Sequence, residues 1–336
     1  MSEDVVTVSA PARLHLGFLD PGGSLGRRFG GIGLALEQPS TMLEIRRADR
    51  DVVEVAGKVR DGGRAGAHLA RLRDALRLDF AYRLAVTTEM PAHSGLGSGT
   101  QLALAIACGL RRLEGLDLDP ESDAALLGRG NRSGLGVAFV TGGGVAVDGG
   151  KGNSDLPPPL IARLPFPEEW RVILVMEPHA EGFHGEAELE AFAALPEFAE
   201  SDAARICQLV LMRALPGLLE RDLAAFGGAI SEIQEKVGAH FAAAQGGVFT
   251  SERVAAACRW LEGHGAHGIG QSSWGPTGFA FAPDQASAER LLAGLNAAGL
   301  GETLDIRIIQ GRNRGIAISR RSEAGSGAVT RRLGTG

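Results

Sequence analysis

The sequence predicts an α+β protein built from two halves, on three observations. At 336 residues the chain exceeds the usual length of a single domain. Period-two apolar runs (Val5–Ala10, Tyr82–Thr88, Arg171–Met176) share the chain with period-3.6 stripes in both halves. Composition also shifts between 150 and 169: Lys151-Gly152-Asn153-Ser154-Asp155 and three consecutive prolines precede Pro165 and Pro167. The expected division is residues 1–165 and 166–319, with 320–336, small, polar and basic, as a disordered tail.

Taken in order, Val5–Ala10 reads as a first strand leading into Arg13-Leu14-His15-Leu16. A flexible, basic, glycine-rich loop follows over 22–33, then strands at Thr41–Arg46 and Val52–Val55. Residues 65–78 form a helix with Leu69, Leu72 and Leu76 on one stripe and Arg71, Arg73 and Arg77 outside. The strand Tyr82–Thr88 then meets a glycine turn and a helix over 100–113 with almost no polar face, hence buried. Asp119-Pro120 starts a short helix that ends at Gly128, and Val145–Asp148 is a strand. The second half starts with the strand Arg171–Met176, followed by helices at about 186–194, 202–215, 219–236 and 252–262. A glycine tract over 268–278, the strand Phe279–Phe281, a helix over 284–298 and a strand at Leu304–Ile309 complete it.

Forty-four per cent hydrophobic and 22% charged residues describe a globular protein with ample core. A net charge of −6 argues against nucleic acid as the main partner. Cys108, Cys207 and Cys258 lie far apart in apolar helical patterns, so buried thiols in a reducing compartment are expected. The acidic opening Ser2-Glu3-Asp4 is unlike a leader, and the longest apolar run, Leu102–Cys108, is too short to span a bilayer. The expected location is the cytoplasm, with no membrane contact.

Four tracts suggest one site. The central one is Ser94-Gly95-Leu96-Gly97-Ser98-Gly99-Thr100, between a strand and a helix. Helix N-terminal N–H groups and the helix dipole favour an anion there, and glycine lets it approach. No Lys follows the last glycine, which excludes a P-loop, and Gly-x-Gly-x-x-Gly is not matched. His93, just before the tract, reads either as a turn residue or as a ligand contact. In the second tract Arg13, His15, Arg27 and Arg28 surround glycines, and guanidinium forks suit phosphate or carboxylate. Paired surface arginines and a structural His15 are the plainer readings. The third tract is Arg129 to Gly136, which contains Arg132 and Ser133. In the fourth, Gln271, Ser272 and Ser273 offer hydrogen bonds, and Trp274 is either a stacking platform or core. The patch Glu177, His179, Glu181, His184, Glu186 and Glu188 has no convincing third metal ligand at fixed spacing.

Pro91-x-x-x-Gly95-Leu96-Gly97-Ser98 resembles the phosphate-binding motif of the GHMP superfamily of small-molecule kinases and their relatives. Ala12-Arg13-Leu14-His15-Leu16-Gly17, Gly23-Ser24-Leu25-Gly26-Arg27, Gly30–Leu36, Ser94–Ala103, Gly128–Gly136 and Gly270–Thr277 together resemble one branch of it, the β-ribofuranosylaminobenzene 5′-phosphate synthases. The resemblance implies a GHMP-kinase-like two-domain fold, with a ribosomal-S5-like N-terminal domain and a ferredoxin-like C-terminal one. It implies an enzyme of methanopterin biosynthesis that condenses phosphoribosyl pyrophosphate with 4-aminobenzoate or 4-hydroxybenzoate, releasing pyrophosphate and carbon dioxide. On that resemblance Ser94, Gly95, Leu96, Gly97, Ser98, Gly99 and Thr100 would cradle pyrophosphate, with Mg²⁺ held mainly by the pyrophosphate itself. Arg13, His15 and Arg132 would serve catalysis. Arg27, Arg28, Ser133, Gln271, Ser272, Ser273 and Trp274 would bind substrate, with Trp274 or Phe29 walling the ring. A homodimer is implied. In the kinases an Asp follows the Ser-Gly-x run of the third tract; here Gly136 stands in its place. An ATP-dependent kinase and a non-catalytic sugar-phosphate-binding protein remain the alternatives.

Overall fold

The computed structural model describes residues 3–59, 63–178, 180, 182 and 195–323. Its spine is a hairpin of two long strands, β1 (Glu3–Asp20) and β2 (Phe29–Ala48). The first sheet adds β3 (Val52–Val55), β4 (Lys58–Val59), β5 (Ala81–Thr88), β6 (Val145–Asp148), β7 (Leu160–Leu164) and β12 (Ala317–Glu323). Its order is β12-β1-β2-β5-β3-β4, with β6 pairing the turn half of β2 and β7 pairing β6. The second sheet runs β11 (Asp305–Ile309), β8 (Arg171–Met176), β10 (Gly278–Ala282), β9 (His267–Gln271). Helices α1 (Gly63–Ala75), α2 (Ser98–Leu113), α3 (Pro120–Leu126) and α4 (Leu135–Thr141) belong to the first half. The second half holds α5 (Glu200–Leu209), α6 (Leu215–Glu220), α7 (Leu223–Gln245), α8 (Glu252–Gly263) and α9 (Gln285–Ala297).

The hairpin passes through two cores. Near its ends Val6, Val8, Ala10, Leu43 and Ile45 pack on Leu102, Ile106 and Leu110 of α2. Beyond a register shift at Pro11/Ala12, residues Ala12, Leu14, Leu16, Ile32 and Leu34 join Phe226, Ile230 and Ile233 of α7. That second core also takes Val172 and Leu174, while Ile173 and Val175 face α8 and α9 in a third. Each such Leu or Ile, fully buried, contributes about 1.5–3 kcal/mol. The two halves therefore share a core, and Arg13 and His15 sit where the hairpin crosses from one core to the other.

Several expectations are corrected here. Residues 29–33, expected in a loop, lie in β2. Glycines are needed there because a Cβ at Gly31 would stand 3.1 Å from His15 Nε2, and one at Gly33 2.7 Å from Leu135 Cδ1. The chain does not stay with the second half to 319: β12 returns to β1, pairing Val6 with Arg320, so 320–323 are strand and not tail. Ile316 and Ile318 drive this return by packing on the α2 core. Residues 324–336 lie outside the described residues, as does the helix expected at 186–194. The helix expected over 202–215 runs instead as α5, a π-turn over Val210–Ala214, and α6. The 219–236 pattern is interrupted at Arg221 (φ 57°) and restarts where Asp222 caps α7 through Ala225 N. Cys108 and Cys258 are buried, their thiols pushed up to about 12 by desolvation, but Cys207 is exposed.

Candidate active site

Helix α2 begins after Gly97, whose φ of 78° places it in the left-handed region that glycine tolerates. No side chain caps this end, and its first turn contains no acidic residue. The first ladder bond runs from Gln101 N to Gly97 O at 3.1 Å, so the N–H groups of Ser98, Gly99 and Thr100 lie outside the ladder. Two cations stand against this positive end. Arg13 donates its backbone N–H to Leu96 O at 2.9 Å, and its Nε lies 3.3 Å from where a Cβ on Gly97 would be. Arg129 Nη1 lies 3.4 Å from the corresponding point on Gly99. A helix terminus with this sign, and no acidic residue in its first turn, favours an anionic ligand.

The loop between β9 and β10 closes on the same turn. Ser272 Oγ accepts from His15 N at 3.0 Å and donates to Gly95 O at 2.8 Å. A Cβ on Gly95 would lie 2.3 Å from Ser272 O, so glycine is what lets the two loops touch.

The third tract is held by Asp148, a residue that motif reasoning does not single out. Fully buried at the end of β6, it accepts from Ser133 Oγ and Gly134 N through Oδ2 and from Gly150 N through Oδ1, each at 3.0 Å. Desolvation pushes its carboxyl up to about 6; the three hydrogen bonds and the charge of Arg13 oppose that rise. Arg27 donates to Gly149 O (2.6 Å) and Gly150 O (2.7 Å), so the 21–28 loop is tied to the same corner. The signal for Asp148 in the sequence is a strand-ending Asp before two glycines, after an otherwise apolar Val145-Ala146-Val147 run.

His15 is 2% exposed, with its ring 4.4 Å from that of Phe18. Burial and then the Arg13 charge hold it well below the usual histidine range, so it is neutral. Its Nε2 is buried and makes no hydrogen bond among the described residues. Arg132 lies half-buried beside Ser133. Arg28 sits over the Phe29 ring at 5.3 Å, and its backbone pairs with Lys151.

The other expected site residues are placed as follows. Trp274 is 2% exposed and packs against Phe241 with ring centroids 4.5 Å apart, so its indole is part of the core. Gln271 Oε1 is engaged by Thr250, and the Ser94 hydroxyl by Pro91 O. Ser272 is a rivet between loops, and the Leu96 side chain is core. Ser273 adopts φ 56° at the turn. Glu177 pairs with Ser251 Oγ and Arg253; His179, Glu181, His184, Glu186 and Glu188 lie outside the described residues. No three His, Cys, Asp or Glu side chains among the described residues are grouped to hold a metal. No described helix is long and apolar enough to cross a membrane.

Residues 64–144 match the family of GHMP kinases N-terminal domains, and residues 214–300 match that of GHMP kinases C-terminal domains. The β-ribofuranosylphenol 5′-phosphate synthase of Archaeoglobus fulgidus is 35% identical over 327 residues, covering 94% of this chain and 99% of that protein. This chain belongs to the β-ribofuranosylphenol 5′-phosphate synthase family. A second member, from Methanothermobacter thermautotrophicus, is 35% identical over 68% of this chain and 74% of its own length. The crystal structure of homoserine kinase from Cytophaga hutchinsonii shares the fold, with a TM-score of 0.67 at 20% identity over 94% of this chain and 97% of that one. The family is thus an enzyme branch on the GHMP fold. Where the kinases place an Asp, Gly136 here is buried within α4, and a Cβ on it would lie 2.7 Å from Thr100 Cγ2.

Proposed function

We propose that this chain transfers the phosphoribosyl group of phosphoribosyl pyrophosphate to the ring carbon of a 4-substituted benzoate, with loss of pyrophosphate and carbon dioxide. The observation that carries this reading is the uncapped α2 N-terminus flanked by Arg13 and Arg129, with glycines at 95, 97 and 99. The relatives' names specify a ribofuranosylphenol 5′-phosphate, which supports 4-hydroxybenzoate as acceptor over 4-aminobenzoate.

The chemistry needs little from side chains. The C1–O bond breaks and its electron pair leaves with pyrophosphate; the ring carbon bearing the carboxylate attacks C1, assisted by the para hydroxyl. The C–CO₂ bond then breaks, and its electron pair restores aromaticity. The departing charge is met by the α2 N–H groups and Arg13, already oriented before the reaction. Water has to be kept from C1 while it carries positive charge. No hydroxyl has to be activated as a nucleophile, so Gly136 in place of a kinase Asp removes nothing the reaction uses. His15, held neutral, is suited to hydrogen bonding and not to acting as a charged acid. Mg²⁺ belongs to this reading as a companion of the pyrophosphate, whose oxygens are the hard ligands it prefers. A homodimer in the cytoplasm is part of the same proposal.

The test supplies carboxyl-labelled 4-hydroxybenzoate, and separately 4-aminobenzoate, with phosphoribosyl pyrophosphate and Mg²⁺, and traps carbon dioxide. Release that requires both substrates is expected. Release independent of the donor, or phosphoryl transfer from ATP to an alcohol instead, contradicts the proposal.

A further inference from the structure

We propose that Arg129, steadied by His68, is the side chain that takes up the pyrophosphate end of the donor at the α2 N-terminus. The inference rests on the function proposed above and assigns the donor's pyrophosphate to one of the two arginines at that helix terminus.

Arg129 is rigidly placed. Gly128 (φ 66°) ends α3 with its N–H on Ala125 O at 3.1 Å, and Arg129 N donates to Ala124 O at 2.7 Å, a Schellman cap. Gly130 (φ 76°) turns the chain on the other side. The side chain so aimed has its Nε buried without an acceptor. Its hydrogen-bond partner among the described residues is His68 Nε2, a long 3.4 Å from Nη2. No carboxylate pairs with it among the described residues, and the neighbouring charge is Arg64, of like sign. Burial and then Arg129 itself keep His68 neutral, its pKa down to about 4, so that the imidazole accepts from the guanidinium.

A half-buried cation facing another cation and the positive end of a 16-residue helix is unfavourable until an anion joins them. The absence of a side chain on Gly99 leaves the guanidinium beside the first-turn N–H groups. A planar fork next to that row of donors matches adjoining phosphate oxygens better than a single carboxylate. Arg13 stands against Gly97 on the same turn, so the two arginines bracket the ligand's charge.

The test compares wild type, Arg129→Gln and Arg129→Lys by calorimetry, using magnesium pyrophosphate as one probe and ribose 5-phosphate as the other. Loss of a charge-assisted hydrogen bond to phosphate predicts weakening of pyrophosphate binding by about tenfold or more in Arg129→Gln. A smaller loss is expected in Arg129→Lys, with ribose 5-phosphate affinity unchanged. In turnover, KM for phosphoribosyl pyrophosphate should rise by a similar factor while KM for the benzoate holds. If Arg129→Gln does not fold, Arg129→Lys carries the comparison. Unaltered pyrophosphate affinity in the variants, beside a wild type that turns over, overturns this inference alone, as does a loss confined to ribose 5-phosphate. A wild type that binds neither probe nor donor overturns the proposed function and this inference together.

Discussion

The Ser272 hydroxyl donates to the Gly95 carbonyl across 2.8 Å and accepts from His15 N, joining residues 177 positions apart in sequence. One oxygen thus locks the second half of the chain to the anion turn and to β1. Replacing Ser272 with Ala strands a buried N–H and a carbonyl, which costs about 1–3 kcal/mol. The expected result is a lowered melting temperature and a raised KM for the phosphoribosyl donor. Unchanged values in both would show that the contact does not hold the turn.

Gly136 tests why this branch lacks the kinase carboxylate. A Cβ there meets Thr100 Cγ2 at 2.7 Å, so Gly136→Ala and Gly136→Asp should each destabilise by about 1–3 kcal/mol. Gly136→Asp should gain no ATP-dependent phosphoryl transfer. Thr100→Ser removes the offending methyl, so the Gly136→Ala/Thr100→Ser pair should recover stability relative to Gly136→Ala. Strict additivity in denaturant melts would contradict the packing explanation.

Asp148 gives a pH signature. Its carboxyl titrates near 6 in the fold against 3.8 when exposed, so the native state binds the proton more tightly. Its contribution is most favourable below the unfolded value and is lost as pH rises through about 6. The gap between the folded and exposed values corresponds to about 3 kcal/mol. Melting temperatures between these pH values should therefore fall with rising pH more steeply in wild type than in Asp148→Asn. Asp148→Asn should also loosen the Ser133–Gly134 corner and raise KM for the donor, because one amide cannot accept all three hydrogen bonds. Parallel pH curves for the two proteins would contradict this.

His15 should remain a neutral imidazole through the range where free histidine titrates, around 6.5. Nitrogen chemical shifts of labelled protein would report it directly, with His15→Gln identifying the signal. A His15 signal that moves to the imidazolium position near that pH would contradict the burial that the fold imposes.

Legibility follows the range of the interactions. β6 and β8, both apolar and bounded by turn residues, show in sequence with the limits they have in the fold, and α2 and α8 nearly so. The anion turn is readable because glycine spacing before a helix is a local signal. The turn half of β2 is hidden by glycines whose purpose is to admit His15 and Leu135 from elsewhere in the chain. β12 escapes detection because its partner, β1, lies some three hundred residues away, and strand pairing of that range leaves no local trace. Trp274 misleads for a related reason: composition cannot say that Phe241 covers its face. Arg129 and Asp148 stand in or near conspicuous tracts, but their roles depend on which charges the fold leaves beside them.

A structure with phosphoribosyl pyrophosphate bound tests the central claim most directly. The account predicts pyrophosphate oxygens within hydrogen-bonding distance of the Ser98, Gly99 and Thr100 N–H groups, with Arg13 and Arg129 on the same phosphates. Pyrophosphate bound away from the α2 N-terminus, with these groups still facing solvent, would contradict it.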